Sequence, residues 1–186
     1  MPLLYNFAAP QPIKQRKMEY KAKYITEDIK LSCYEDKFFK SDIVFEHHML
    51  IWFLSGATKI VQADATYIFK AGDIFLIPRN QLATIINYPA DGLPHKTVVM
   101  HLSAERLIAY YQNLDIQPQP SRPPGILRYS NHPLLQSCLS SLIPYFDMNE
   151  LPDDIASLKI TEAISILRAI DKKVDHVLGE MREIRG

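Results

Sequence analysis

Two hydrophobic periods share this chain of 186 residues, and one gives way to the other near Leu102. Before it, apolar side chains fall in short β-branched and aromatic runs broken by Gly, Pro, Asp and Asn; after it they recur at three- and four-residue steps. A chain divided in this way folds as strands first and helices second, mainly β plus α. Seven runs read as strands: Ile29 to Tyr34, His48 to Leu54, Thr58 to Gln62, Thr66 to Phe69, Ile74 to Ile77, Leu82 to Ile86 and Lys96 to Leu102. Between them, Ser55-Gly56, Ala63-Asp64, Ala71-Gly72-Asp73, Arg79-Asn80 and Ala90-Asp91-Gly92 supply residues that tolerate tight or positive-φ backbone. Such spacing suits an all-β sandwich or small barrel, and the expectation is an antiparallel barrel. The chain then divides into an arm over 1–25, a barrel over 26–102 and a helical segment over 103–186.

Three helices are expected in that last segment. Ser103 caps the first, whose inner face is Leu107, Tyr110, Tyr111 and Leu114. Pro118, Pro120, Pro123 and Pro124 make the next stretch an extended connector. Asn131 caps a second helix running to about Phe146, with Pro133 in its first turn. The third spans Pro152 to about Ile170, where Ile155, Ile160, Ala163, Ile164, Ile166, Leu167 and Ile170 sweep half the wheel, with Leu158 at the edge. An arc that wide needs more than one neighbour. Either it is a central core helix, or Ile160, Ala163, Ile164 and Leu167 meet a second copy of the chain in a homodimer. The tail from Asp171 to Gly186 reads as a short amphipathic helix.

Composition removes several roles. Lys plus Arg and Asp plus Glu are 21 each, so no net field draws the chain to phosphate or anionic lipid. The basic stretch Lys14, Arg16, Lys17, Lys21 and Lys23 is diluted by Glu19, Glu27 and Asp28 and reads as a solvated arm. No apolar run approaches the ~20 residues of a membrane span. Cys33 and Cys138 have no metal spacing, and Met1 to Pro12 lacks the features of a secretory signal, which together point to the cytoplasm.

The sharpest local pattern is Ala71-Gly72-Asp73-Ile74-Phe75-Leu76-Ile77-Pro78. It resembles the second motif of the cupin superfamily, and His47-His48-Met49-Leu50-Ile51-Trp52-Phe53-Leu54-Ser55-Gly56 resembles the first. The resemblance implies a small antiparallel barrel around a pocket. Metal-binding cupins carry a spaced histidine pair, an acid and a third histidine. Here the histidines are adjacent and therefore point to opposite faces of a strand; Met49 to Leu54 holds no carboxylate, and the third position is Ala83. No metal or other cofactor is expected, and His47, His48 and His101 read as structural or rim histidines. No Gly-x-Ser-x-Gly elbow, phosphate loop or activated cysteine is present in the sequence, so no catalytic residue is assigned.

A metal-free, cupin-like barrel followed by helices is similar to the N-terminal regulatory half of AraC/XylS-type transcription regulators. Pro123-Pro124-Gly125-Ile126-Leu127, Asn131-His132-Pro133-Leu134-Leu135 and Leu158-Lys159-Ile160-Thr161-Glu162-Ala163, in that order, resemble the branch that includes activators of type III secretion genes. That resemblance implies an effector-sensing and dimerisation domain of a bacterial-type regulator, with a small molecule or a regulatory protein as effector. DNA would be read only through a C-terminal helix-turn-helix domain beyond Gly186. By position near strand ends and the Gly-Asp turn, Trp52, Phe75, Arg79, Thr84, Ile86 and His101 are the expected pocket residues, with Arg79 placed to meet a carboxylate. Two further classes stand beside this one: a metal-dependent cupin enzyme, isomerase or dioxygenase, with an unconventional site, and an assembly module whose interior is filled by its own side chains.

Overall fold

A computed structural model describes residues 21–34, 38–116 and 125–180. Among the described residues, ten strands form two antiparallel sheets. The larger holds β1 (Lys21–Tyr24), β2 (Ile29–Tyr34), β4 (His48–Ser55), β7 (Ile74–Ile77), β9 (His95–Leu102) and β10 (Leu127–Ser130), in the order β1-β2-β9-β4-β7-β10. The smaller is β3-β8-β5-β6, with β3 (Phe39–Val44), β5 (Ala57–Val61), β6 (Thr66–Lys70) and β8 (Leu82–Tyr88). The cupin-like expectation holds for two sheets of this kind, but they face each other without closing into a barrel. β1, β3 and β10 are the strands the periodicity did not disclose. β1 lies within the expected arm and β10 within the expected helical segment, so the larger sheet crosses both of those divisions.

Among the described residues, five helices follow or interrupt the strands: α1 (Ala104–Tyr111), α2 (Pro133–Ser140), α3 (Ile143–Met148), α4 (Asp153–Ile170) and α5 (Val174–Leu178). Ser103 caps α1, its hydroxyl accepting from the Arg106 amide. The expected second helix is two. Pro144 has no N–H to give the Ser140 carbonyl and its ring crowds that turn, so α2 stops at Ser140 and α3 starts afresh with proline in its first turn. His132, rather than Asn131, caps α2 through its ring nitrogen, which accepts from the Leu134 amide. The proline-rich connector at 117–124, the basic residues Lys14, Arg16 and Lys17, and the tail beyond Glu180 lie outside the described residues. Lys23, inside them, donates to the Phe146 carbonyl. No helix among the described residues is long and apolar enough to cross a membrane.

The larger sheet separates two cores. Even-numbered side chains of β4, β7 and β9, such as Leu50, Trp52, Leu76, Val98 and Met100, pack under the helices with Leu107, Leu139 and Ile164. Odd-numbered side chains of the same strands, including Ile51, Phe53, Phe75 and Val99, face the smaller sheet and meet Ile60, Phe69 and Ala83. α4 is the central member of the helical layer. Ile160, Ala163, Ile164 and Leu167 are 0–1% exposed within a single chain, packed in the sheet-helix core, so they are not a surface that a second copy can touch. Of the two expectations for this helix, the structure supports the central core helix.

Candidate functional site

The space between the sheets is only partly filled. Phe53, Phe69 and Phe75 stack in its interior, with the Phe69 and Phe75 ring centroids 3.7 Å apart and 13° from parallel. Beside them a cavity of about 130 Å³ remains. Ile51, Phe53, Phe75 and Val99 of the larger sheet and Ile60 and Ile85 of the smaller one give it apolar walls. Its polar end is formed where Thr58 of β5, Asn87 of β8, and His95 and Thr97 of β9 converge, all 7% exposed or less. Lys30 and Ser32 of β2 lie on the side where the sheets do not join.

Hydrogen bonds fix that polar end. Thr58 Oγ1 donates to Asn87 Oδ1 at 2.6 Å and lies 2.8 Å from His95 Nε2. A hydroxyl has one proton to give; with it on Asn87, the imidazole Nε2 carries the hydrogen that Thr58 accepts. Burial holds His95 at a pKa of about 4, so the ring is neutral near pH 7 and fits that tautomer. Behind it, Gly56 takes φ +76°, and a Cβ there would stand 2.5 Å from the His95 Cα. Glycine is therefore needed both for the turn from β4 to β5 and for the close approach that seats His95.

Of the expected pocket residues, only Phe75 lines this cavity. Trp52 points the other way, into the sheet-helix core. Thr84 and Ile86 lie on the outer face of the smaller sheet, where the Thr84 hydroxyl donates to Asp42 at 2.5 Å. Arg79 follows β7 and belongs to a different hollow, of about 100 Å³, shared with Glu46, His47, His48 and Leu107. Its amide donates to His48 Nδ1 at 3.0 Å and its guanidinium to the Glu180 carbonyl at 3.4 Å. His101 lines a third, open hollow with Tyr24, Glu27, Asp28, His47 and Ser103. There the Arg106–Asp28 ion pair spans 3.2 Å.

The residues missed were Thr58, Asn87, His95, Thr97, Ser32 and Lys30, and the reason is parity. A one-residue shift of register exchanges the faces of a strand. β4, as Met49 to Leu54, is buried on both faces and reads as a continuous apolar run with no parity to detect. In β8 the pattern misleads outright: Leu82 is exposed and Ile86 faces outward, while Asn87 is buried. The usable signal was the turn at Gly56, which sets the first cavity-facing residue of β5 as Thr58.

The adjacent histidines diverge as a strand requires. His48 turns to the Arg79 amide, and its pKa falls to about 3 through burial and then the nearby charges of Arg79 and His47. The His47 ring packs edge-on against His101 at 6.1 Å. Ala83 is buried between the sheets. Among the described residues, no three His, Cys, Asp or Glu side chains are grouped to hold a metal ion. What the inter-sheet cavity offers is a small apolar chamber with a neutral, hydrogen-bonding end.

Comparison with known proteins gives this architecture a context. The family described as the ExsA N-terminal regulatory domain matches residues 48–174. No curated protein matches the sequence. Among solved structures, apo ToxT from Vibrio cholerae superposes with a TM-score of 0.58 at 12% identity, covering 82% of this chain and 59% of that one. ToxT of the same organism bound to an unsaturated fatty acid gives 0.56 at 12% identity, covering 79% and 57%. ToxT bound to (E)-4-(8-methylnaphthalen-1-yl)but-3-enoic acid gives 0.53 at 15%, covering 77% and 58%. At such identities the likeness is one of fold, and this chain spans 57–59% of the length of those proteins.

Proposed function

This chain belongs to the ExsA N-terminal regulatory domain family, and from that premise we propose that, as the regulatory domain of an AraC-type transcription regulator, it senses its effector in the cavity between the two sheets. The observation that carries the reading is the position of the larger sheet. One face of β4, β7 and β9 walls the cavity through Ile51, Phe75 and Val99, and the other face seats the helices through Trp52, Leu76 and Val98. An occupant that shifts the odd-numbered side chains moves the strands on which α1 and α4 rest. It shifts the regulator's state only to the extent that it binds one arrangement of that layer better than the other. ToxT bound to an unsaturated fatty acid and to a naphthalenyl butenoic acid supports an effector with a substantial apolar part. No catalytic step is assigned to the site.

The output is read elsewhere. DNA is contacted by a separate domain, and two copies of the regulator pair through the outward strip of α4, where Leu158 is 68% exposed, rather than through its buried face. The compartment is the cytoplasm. Hydrogen exchange of the domain with and without a saturating small apolar fragment tests the coupling. Slower exchange is expected in the cavity strands and also in α1 and α4, and saturation at a hundredfold the Kd adds about 2.7 kcal/mol of stability. Ile60→Phe, which fills the chamber, removes both effects. Protection confined to the strands would end the sensing assignment.

A further inference from the structure

The smaller sheet packs its inner face on the cavity and leaves Val44, Ile68 and Leu82 of its outer face 56–66% exposed. The side chains of β3, β5, β6 and β8 that alternate with Ile43, Ile60, Phe69 and Ile85 are the ones that point outward. Along the middle of that face β8 runs an apolar ridge of Leu82, Ile86 and Tyr88, and Val44 of β3 stands beside Leu82. Large aliphatic side chains gathered on one exposed sheet face mark a surface that a partner covers.

Charge says what kind of partner. Lys40 and Lys59 flank Ile86 in its own row, Lys40 paired with it from β3 and Lys59 from β5. Two strand spacings of about 4.8 Å set the two lysines about 10 Å apart, the width of an α-helix. Lys70 of β6 is also exposed on this face. Among the described residues, no carboxylate holds any of these three ammonium groups, and the acid of the face, Asp42, accepts from the Thr84 hydroxyl. The face is therefore positive in a chain whose formal net charge is 0.

That layout selects among occupants. A second copy docked face to face would set lysines against lysines. The chain's own arm carries Lys14, Arg16 and Lys17 and meets the same repulsion. A lipid surface takes cations at the rim of an apolar face that sinks below the headgroups, whereas here Lys40 and Lys59 share the row of the ridge. A negative partner with an apolar stripe between its charges satisfies both features.

We propose that the outer face of the smaller sheet docks an acidic amphipathic helix of a partner protein, its apolar stripe along the β8 ridge and its flanking carboxylates on Lys40 and Lys59. This surface is separate from the cavity, on the opposite face of the same sheet.

A displayed library of helical peptides with an apolar stripe and randomised flanking positions tests the assignment. The library is panned on the wild-type chain after depletion on Leu82→Ser/Ile86→Ser, a variant that removes the ridge and leaves the charge untouched. The charge of the recovered peptides is then a free readout. They are expected to carry Asp or Glu on both sides of the stripe, and to bind about tenfold more weakly to Lys40→Glu/Lys59→Glu and at raised salt. Thermal melts verify that the variants fold, and Leu82→Ser alone, at an exposed position, serves for depletion if the double change does not. Recovery of neutral or basic peptides, affinity unmoved by the charge reversal, or no ridge-dependent binder at all overturns the proposal. Ridge-dependent binding to vesicles of phosphatidylcholine and phosphatidylserine, with no such peptide recovered, overturns it in favour of a lipid surface.

Discussion

Gly56 shows how one residue without a side chain sets the chemistry of a chamber. Its positive φ turns β4 into β5, and the 2.5 Å that a Cβ would leave to the His95 Cα means that any side chain displaces the strand carrying the imidazole. Gly56→Ala is expected to cost about 2 kcal/mol or more from the left-handed backbone and the clash together, read as a lowered Tm. The histidines carry a second consequence. His48 is held at about 3, and His95 and His101 at about 4, in each case chiefly by burial, against 6.5 in the unfolded chain. Below 6.5 the unfolded chain takes up protons that the folded one refuses, so stability is full above that pH and falls as pH drops toward 4. Each fully shielded histidine contributes a slope of up to about 1.4 kcal/mol per pH unit, and His101, partly exposed, contributes less. Urea midpoints measured from pH 7.5 to 4.5 should fall monotonically, and a flat profile would contradict the neutral burial of His48 and His95.

At the scale of elements, α4 was the most legible helix in extent and the least legible in role. Its apolar arc and its start after Pro152, with Asp153 and Asp154 in the first turn, give its bounds without tertiary information. Which part of the arc faced inward was undecided, because a helix under two neighbours and a helix shared by two subunits both need a wide stripe. The structure buries Ile160, Ala163, Ile164 and Leu167 and leaves Leu158 outside. Ile164→Asp is therefore expected to unfold the helical layer, at a cost of about 4 kcal/mol or more from one uncompensated buried charge, seen as loss of near-UV dichroism. Leu158→Glu should change stability by less than about 0.5 kcal/mol and shift sedimentation toward the single chain. Dissociation of a folded Ile164→Asp chain would reverse the assignment of the two faces. The last turns of the layer are held by polar contacts: Arg168 and the Tyr111 hydroxyl both donate to Asp175 at 2.7 Å, tying α1 and α4 to α5. Burial, and then the hydrogen bond to Asp175, push the Tyr111 hydroxyl far above its ordinary pKa, so it keeps its proton and donates at neutral pH.

Across the whole molecule, the larger sheet is shared: one face meets the smaller sheet and the other seats the helices. β10 secures the far edge of the arrangement. Its Arg128 lies over the Phe69 ring at 4.4 Å, donates to the Ile68 carbonyl at 2.9 Å and pairs with Asp73 at 3.4 Å, clipping the helical part of the chain onto both sheets. The Gly72-Asp73 turn that carried the cupin resemblance is thus also a junction: Asp73 accepts from the Lys70 amide at 2.9 Å while holding Arg128.

By itself the sequence determined a strand-rich first half and a mainly helical second half, seven of the strands, the turns at Gly56, Gly72 and Asn80, the cap at Ser103, the divergence of His47 and His48, and a family resemblance that the match over residues 48–174 bears out. These are local properties: backbone preference, periodicity and the alternation of neighbouring side chains act within a few residues. Only the tertiary structure decided which parity of each strand faced the second sheet, that the sheets stay open, that β1 and β10 join the larger sheet, and that the chamber's polar end is Thr58, Asn87, His95 and Thr97. Those depend on what covers each face. A strand buried on both sides carries no polarity contrast from which the choice could be read.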